Sequence, residues 1–195
     1  MFSCLAFKLA IIKIVNCSKG TISIVGVLLL LIACVSQPSE RLRRAAIKGD
    51  VDSVKTLLKT GANVNFIAGG WTILMFVARE GHTEIAKILL DNGADPSAKD
   101  TNGATALTIS AEHGNVKIIK LLLAKGADID VRNDHGNTAL MYGAEYGHLD
   151  VIKTLLAAGA DFTFKDKDGE TALMTARRRK QTEIEQLLKN AGATE

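Results

Sequence analysis

The chain is poor in the residues that most often carry chemistry. It has three cysteines in 195 residues, Cys4, Cys17 and Cys34, and none beyond position 34. A chain beginning at Cys34 would therefore hold no disulfide, and its fold must stand on packing alone. The four histidines, His82, His113, His135 and His148, form no H-x-x-x-H pair. No cysteine cluster or carboxylate set has metal-ligand spacing, so no metal site is expected. The glycines are turn residues at the repeat period rather than a phosphate-cradling loop. Asp100, Asp166 and Asp168 fall at tight turns, where Asp stabilises the local backbone, and are poor candidates for a catalytic carboxylate pair. The absence of any catalytic constellation argues against an enzyme, and no cofactor is implied.

Charge is equally uninformative about a polyanionic partner. The formal net charge is +3. Lys8, Lys13 and Lys19 account for all of it, leaving 21 basic against 21 acidic residues in the remainder. A neutral domain lacks the broad basic field of a nucleic-acid binder. Acidic residues are missing altogether before Glu40.

What the chain does have is a period. Gly70, Gly103, Gly136 and Gly169 are each 33 apart, as are Thr72, Thr105, Thr138 and Thr171, and Leu74, Leu107, Leu140 and Leu173. Gly-Ala returns at 93–94, 126–127, 159–160 and 192–193, and one residue out of step at 61–62. A unit of this length cannot bury its apolar face alone and stacks on copies of itself.

Residues 100–132 give the anatomy of one unit. Asp100–Gly103 predicts a tight turn, and Thr105 stands before an apolar run as an N-cap would. Ala106 to His113 reads as a short helix that Gly114 breaks. Val116 to Ala124 reads as a second, with Val116, Ile119, Leu122 and Leu123 on one face. Lys125-Gly126 ends it, and 127–132 leads into the next turn.

Period and motif together resemble the ankyrin repeat. The resemblance is carried by G-W-T-I-L-M-F-V-A-R-E-G-H at 70–82, G-A-T-A-L-T-I-S-A-E-H-G-N at 103–115, G-N-T-A-L-M-Y-G-A-E-Y-G-H at 136–148 and a degenerate G-E-T-A-L-M-T-A-R-R-R-K-Q at 169–181. It covers about residues 40–193 and implies an all-α solenoid of stacked helix pairs. The expected units are 40–66, 67–99, 100–132, 133–165 and 166–193: a cap, three full repeats and a cap. The proline of the family's T-P-L-H signature is replaced by Ile73, Ala106, Ala139 and Ala172, and its histidine by Met75, Thr108, Met141 and Met174. The first change softens the helix start. The second is expected to remove a local hydrogen bond.

The caps are legible. Glu185 stands where Ala86, Ile119 and Ile152 do, Lys189 where Leu90, Leu123 and Leu156 do, and Arg177 where Ala78, Ala111 and Ala144 do. A helix with no following neighbour needs a polar outer face. The first unit keeps Leu42, Ala45, Ala46, Leu57 and Leu58 in register but carries Arg41, Arg43 and Arg44 in place of the turn.

Residues 1–33 do not share the repeat. Their lysines precede the apolar stretch Ile22–Ala33, a secretory signal pattern shorter than the ~18 residues of a membrane span. The stretch ends in Leu31-Ile32-Ala33-Cys34, which resembles the bacterial lipobox and implies lipidation of Cys34. Residues 34–39 then form the lipidated cysteine and its tether. Val35 after the cysteine leans towards the outer membrane, so the expectation is a membrane-anchored, periplasm-facing protein of the cell envelope. The alternative is an uncleaved N-terminal signal anchor.

The resemblance implies a non-enzymatic protein-protein interaction scaffold, a monomer with an unidentified protein partner and no nucleic acid. Partners of such arrays dock on hairpin tips and first helices. By register these positions are Trp71, Arg79 and Glu80; Asn102, Glu112 and His113; Asp134, His135, Asn137, Glu145 and Tyr146; and Arg178 and Arg179. Trp71, the single tryptophan, either anchors a partner or folds down onto the cap. Phe76 and Ile109 are assigned to the core between repeats. His82 and His148 are assigned a structural role at the start of the second helix. The run Arg177-Arg178-Arg179-Lys180 is either a solvated end cap or a contact for anionic headgroups or an acidic partner.

Overall fold

The computed structural model describes residues 38–194. The signal segment, Cys34 and the first part of the tether lie outside them. The described residues hold ten helices and one two-residue strand pair. The helices come in five pairs. The first pair is α1 (residues 38–48) and α2 (Val51–Lys59). After the hairpin strands β1 (Ile67–Ala68) and β2 (Trp71–Thr72) come α3 (Ile73–Glu80) and α4 (Thr83–Asp91). The pairs α5 (Ala106–Glu112) and α6 (Val116–Ala124), and α7 (Ala139–Tyr146) and α8 (Leu149–Ala157), follow. The last pair is α9 (Ala172–Arg178) and α10 (Thr182–Asn190).

The first helices of the second to fifth units start as their threonines dictate. The hydroxyls of Thr72, Thr105, Thr138 and Thr171 accept from the backbone N–H three residues on, at 3.2–3.5 Å. Each such cap contributes about 1 kcal/mol. Loss of the signature histidine costs less than the sequence reading expects. In the third unit Thr108 Oγ1 accepts from the Thr105 N–H at 2.9 Å, closing a reciprocal capping box. In the second, Met75 Sδ takes the Thr72 N–H at 3.4 Å, a weaker acceptor in the same place. The α5 segment ends one residue short of expectation, at Glu112, with His113 as its cap.

First helices pack on first helices and second on second. Leu74, Leu107, Leu140 and Leu173 are at most 2% exposed, and Leu89, Leu122, Leu155 and Leu188 are wholly buried. These two columns of leucine are the core, which runs continuously through all the units. The Ser110 hydroxyl is buried within it without a partner.

Polar contacts repeat at the same period. In the second, third and fourth units the side chain that precedes the second helix reaches back to the previous unit. His82 Nε2 lies 3.0 Å from the Ile47 carbonyl and His148 Nε2 2.9 Å from that of Glu112, while Asn115 Nδ2 donates to Ala78 at 2.7 Å. A carbonyl only accepts, so both histidines carry their proton on Nε2 in these bonds. At the hairpins Asp100, Asn133 and Asp166 each accept two backbone N–H groups, at 2.8–2.9 Å. Neighbouring tips are joined by Asp134 N to Asn102 O and Lys167 N to His135 O, both 2.9 Å.

The structure departs from the sequence reading at the tether. Residues 38 and 39 are helical, and Ser39 is buried, its hydroxyl accepting from Asn63 N at 3.0 Å. The hydroxyl satisfies a loop N–H that would otherwise be stranded, so the tether stops short of position 38. Among the described residues no helix is long and apolar enough to cross a membrane.

Candidate functional site

The hairpin tips and first helices carry the side chains that the register assigns to partner binding. At the N-terminal end of this face Trp71 is half-buried against Phe76, with ring centroids 5.3 Å apart. The Arg79 guanidinium lies 5.4 Å from the Trp71 ring centre and 5.6 Å from that of Phe76, and Arg43 lies 5.4 Å from Phe76. Trp71 thus folds down on its own repeat. Phe76 is only half-buried and belongs to this surface cluster, whereas Ile109, 3% exposed, is core. The difference has a physical cause: the first unit offers Arg43 where an aliphatic neighbour would bury the ring. Arg79 is also paired with Glu80 at 2.8 Å.

In the middle of the face the residues do not converge. Asn102, Asp134 and His135 are exposed tips engaged through their backbones. His113 is exposed, with Nδ1 3.0 Å from the Ile109 carbonyl of its own helix.

Convergence comes between the fourth and fifth units. A cleft of about 410 Å³ is lined by Asn137, Glu145, Tyr146 and Arg178 from the register-derived set, and by Tyr142 and Asp166 among others. The Tyr142 and Tyr146 rings stack with centroids 6.5 Å apart and planes 14° apart. The Tyr142 hydroxyl accepts from Asn133 Nδ2 at 2.9 Å. Burial, and then the charge of Glu112, push both tyrosine hydroxyls above their ordinary pKa. Arg178 joins Glu145 at 2.9 Å and Glu170 at 3.0 Å, and Arg179 also pairs with Glu145. Arg177 reaches Glu185 at 3.2 Å, and Lys189 reaches the same carboxylate at 2.7 Å. Three of the four members of the basic run therefore face acids of the domain itself.

The cleft also uses Met141 and Thr175, which the register did not place among the partner-binding positions. The missing signal was helical spacing: Met141 and Tyr142 lie one turn before Glu145 and Tyr146 on the same helix. Among the described residues no group of three or more His, Cys, Asp or Glu could hold a metal ion.

Comparison with known proteins agrees with this geometry. A family model described as ankyrin repeats in three copies matches residues 16–100 and 92–166. The match begins inside the segment read as a leader. The chain is 45% identical over 64 residues to the human 2-5A-dependent ribonuclease, covering 32% of this chain and 9% of that protein. It is 36% identical over 69 residues to mouse Ankyrin repeat domain-containing protein 40, covering 34% and 19%. It is 39% identical over 64 residues to mouse Ankyrin repeat, SAM and basic leucine zipper domain-containing protein 1, covering 32% and 14%. The chain spans less than a fifth of the length of each of these relatives.

Proposed function

This chain belongs to the ankyrin-repeat family, and on that premise we propose that it is a non-enzymatic protein-binding scaffold held at a bacterial membrane by a lipid on Cys34. Ankyrin repeats serve protein-protein interaction, and the observation that carries the binding reading is the cleft at Tyr146. There side chains from two adjacent repeats, exposed or half-buried, meet on the face of tips and first helices. The ribonuclease similarity covers only 64 residues and lends no nuclease chemistry to this chain.

The membrane half of the proposal rests on sequence. A basic leader, an apolar stretch and Leu31-Ile32-Ala33-Cys34 stand in the order that lipoprotein processing requires. Val35 directs the protein to the outer membrane, facing the periplasm, and the partner is a protein of the same envelope. The domain acts as a monomer.

Labelled palmitate tests the lipid. The wild-type chain is expected to incorporate it and Cys34→Ser to lose it, because the thioether needs sulfur. A wild-type chain without label and with its first 33 residues intact would replace the lipoprotein with the uncleaved signal anchor. Crosslinking in the native envelope, followed by mass spectrometry, identifies the partner; recovery of no protein partner would end the scaffold reading.

A further inference from the structure

We propose that the hairpin β1–β2 docks on the phospholipid bilayer that holds the N-terminal anchor, with Ile67 entering the boundary between headgroups and acyl chains. The inference rests on the membrane reading above and applies to either anchor, the lipid on Cys34 or the uncleaved apolar segment.

This hairpin differs in kind from its counterparts. Residues 67–72 read I-A-G-G-W-T, where the later units read D-T-N-G-A-T at 100–105, N-D-H-G-N-T at 133–138 and D-K-D-G-E-T at 166–171. Ile67 thus stands where Asp100, Asn133 and Asp166 each hold two backbone N–H groups. The turn is closed by other means. Ile67 pairs with Thr72 and Ala68 with Trp71, and Gly69 and Gly70 are both left-handed, with φ of 59° and 82°, as a two-residue hairpin turn requires. With the polar acceptor replaced, an isoleucine stands 61% exposed at the tip. No charged residue lies between Lys59 and Arg79, whereas each later tip carries at least one carboxylate. The second unit alone therefore presents a tip that loses no ionic hydration on entering an apolar phase.

Position supplies the occupant. Val35, Ser36 and Gln37 separate Cys34 from Pro38, where the described residues begin. Fully extended, that stretch spans at most ~14 Å. Ser39 is pinned to the loop before the hairpin by the Asn63 N–H at 3.0 Å, and Phe66 N turns back onto the Asn63 carbonyl at 3.2 Å. The hairpin therefore lies at the end of the domain that the tether enters, and a membrane held by either anchor is the apolar phase within its reach. The tether makes docking intramolecular, so a single aliphatic side chain suffices where a free domain would need more. Tyr146, also exposed, is the internal contrast: it lies two repeats away, in a cleft lined by Glu145, Asp166, Asp168 and Glu170.

Trp71, the single tryptophan, sits opposite Ala68 in the hairpin and reports on it directly. The test takes the wild-type chain from its membrane, with the anchor it carries, and reconstitutes it into vesicles of phosphatidylethanolamine and phosphatidylglycerol doped with a phosphatidylcholine brominated high on its acyl chains. Trp71 fluorescence is expected to be quenched. Ile67→Asp should float with the vesicles and keep its circular dichroism, since Asp100 occupies the same place in the third unit. It should reduce the quenched population by about tenfold, because a charge replaces the aliphatic side chain that enters the bilayer. Tyr146→Trp in a Trp71→Phe background should not be quenched. Unquenched Trp71 in vesicle-bound wild-type chain, equal quenching in Ile67→Asp, or equal quenching at position 146 would overturn the docking while the anchor stood. A wild-type chain that did not float with the vesicles would remove the anchor, and the docking with it.

Discussion

Gly114 and Lys180 occupy the same place in the repeat, after the first helix, two units apart. Both are left-handed, with φ of 73° and 59°. At Gly114 a second constraint is added by the neighbour. A Cβ there would lie 2.9 Å from His148 Nδ1, and the ring is held by its bond to the Glu112 carbonyl. No repeat follows Lys180 in the described residues, so only the backbone conformation acts on it. Interior repeats are thus constrained by neighbours on both sides, and the last repeat, among the described residues, by the preceding one only.

The largest effect that would break this contrast is in the core. Leu122→Ala empties a fully buried site in the middle repeat and should cost ~2–5 kcal/mol in chemical denaturation. Its counterpart in the last repeat, Leu188, is equally buried but flanked by a unit on one side only. Leu188→Ala should fall at the lower end of that range, and equal costs would show that the end repeat is as tightly constrained as the interior.

Next come the two turn positions. Gly114→Ala should destabilise by about 1–3 kcal/mol, from the left-handed backbone and the displaced His148 ring. Lys180→Gly should have the opposite sign and stabilise by up to about 1 kcal/mol, because it removes the strain without any packing loss. Thermal melts of the two variants moving in the same direction would refute the two-constraint account.

The two caps differ in their salt bridges, which gives a smaller, pH-dependent effect. The Arg43 guanidinium, hydrogen-bonded to Glu40, holds that carboxyl at about 2 rather than the usual 4.5, and Arg44 assists. A depressed carboxylate stabilises the fold above its unfolded pKa and ceases to do so as pH falls through the folded one. The contribution is therefore whole above pH 4.5 and lost towards pH 2. Glu40 is 30% exposed, so solvent screening keeps it below about 1 kcal/mol. Urea denaturation of the wild-type chain and Glu40→Gln should differ at pH 6 and converge as the carboxyl protonates. A constant difference across that window would assign the loss to packing instead.

The smallest change is at the outer face. Lys189→Leu should leave stability unaltered within about 0.5 kcal/mol, since it removes only an exposed ion pair with Glu185. Its effect should appear as end-to-end association in sedimentation, because the apolar residue restores the stacking face of an interior unit.

Much of the architecture was legible because the information is local and repeated. Thr105, Gly114 and the leucines recur at 33 residues, and each recurrence supports the others. The α6 boundaries, Val116 to Ala124, could be read directly. The substitution of Thr108 for the signature histidine could not be judged from residue type, because its value depends on whether the hydroxyl meets the Thr105 N–H. The same holds for the basic run: three arginines look like a solvated patch until Glu145, Glu170 and Glu185 are found opposite them. Trp71 was open between two readings, and the arginines that cover it and its neighbour Phe76 come from separate units.

The sequence by itself determined the period, the helix starts, the turns and the two leucine columns. It did so because capping, glycine turns and helical spacing act over a few residues and read the same in every copy. Only the tertiary structure decided which exposed residues meet: Tyr146 with Asp168 and Glu170, His148 with Glu112, Arg178 with Glu145. These partners lie in adjacent units, 22 to 36 residues apart along the chain, and become neighbours through stacking, and an ion pair or a cleft exists only once two units are in contact.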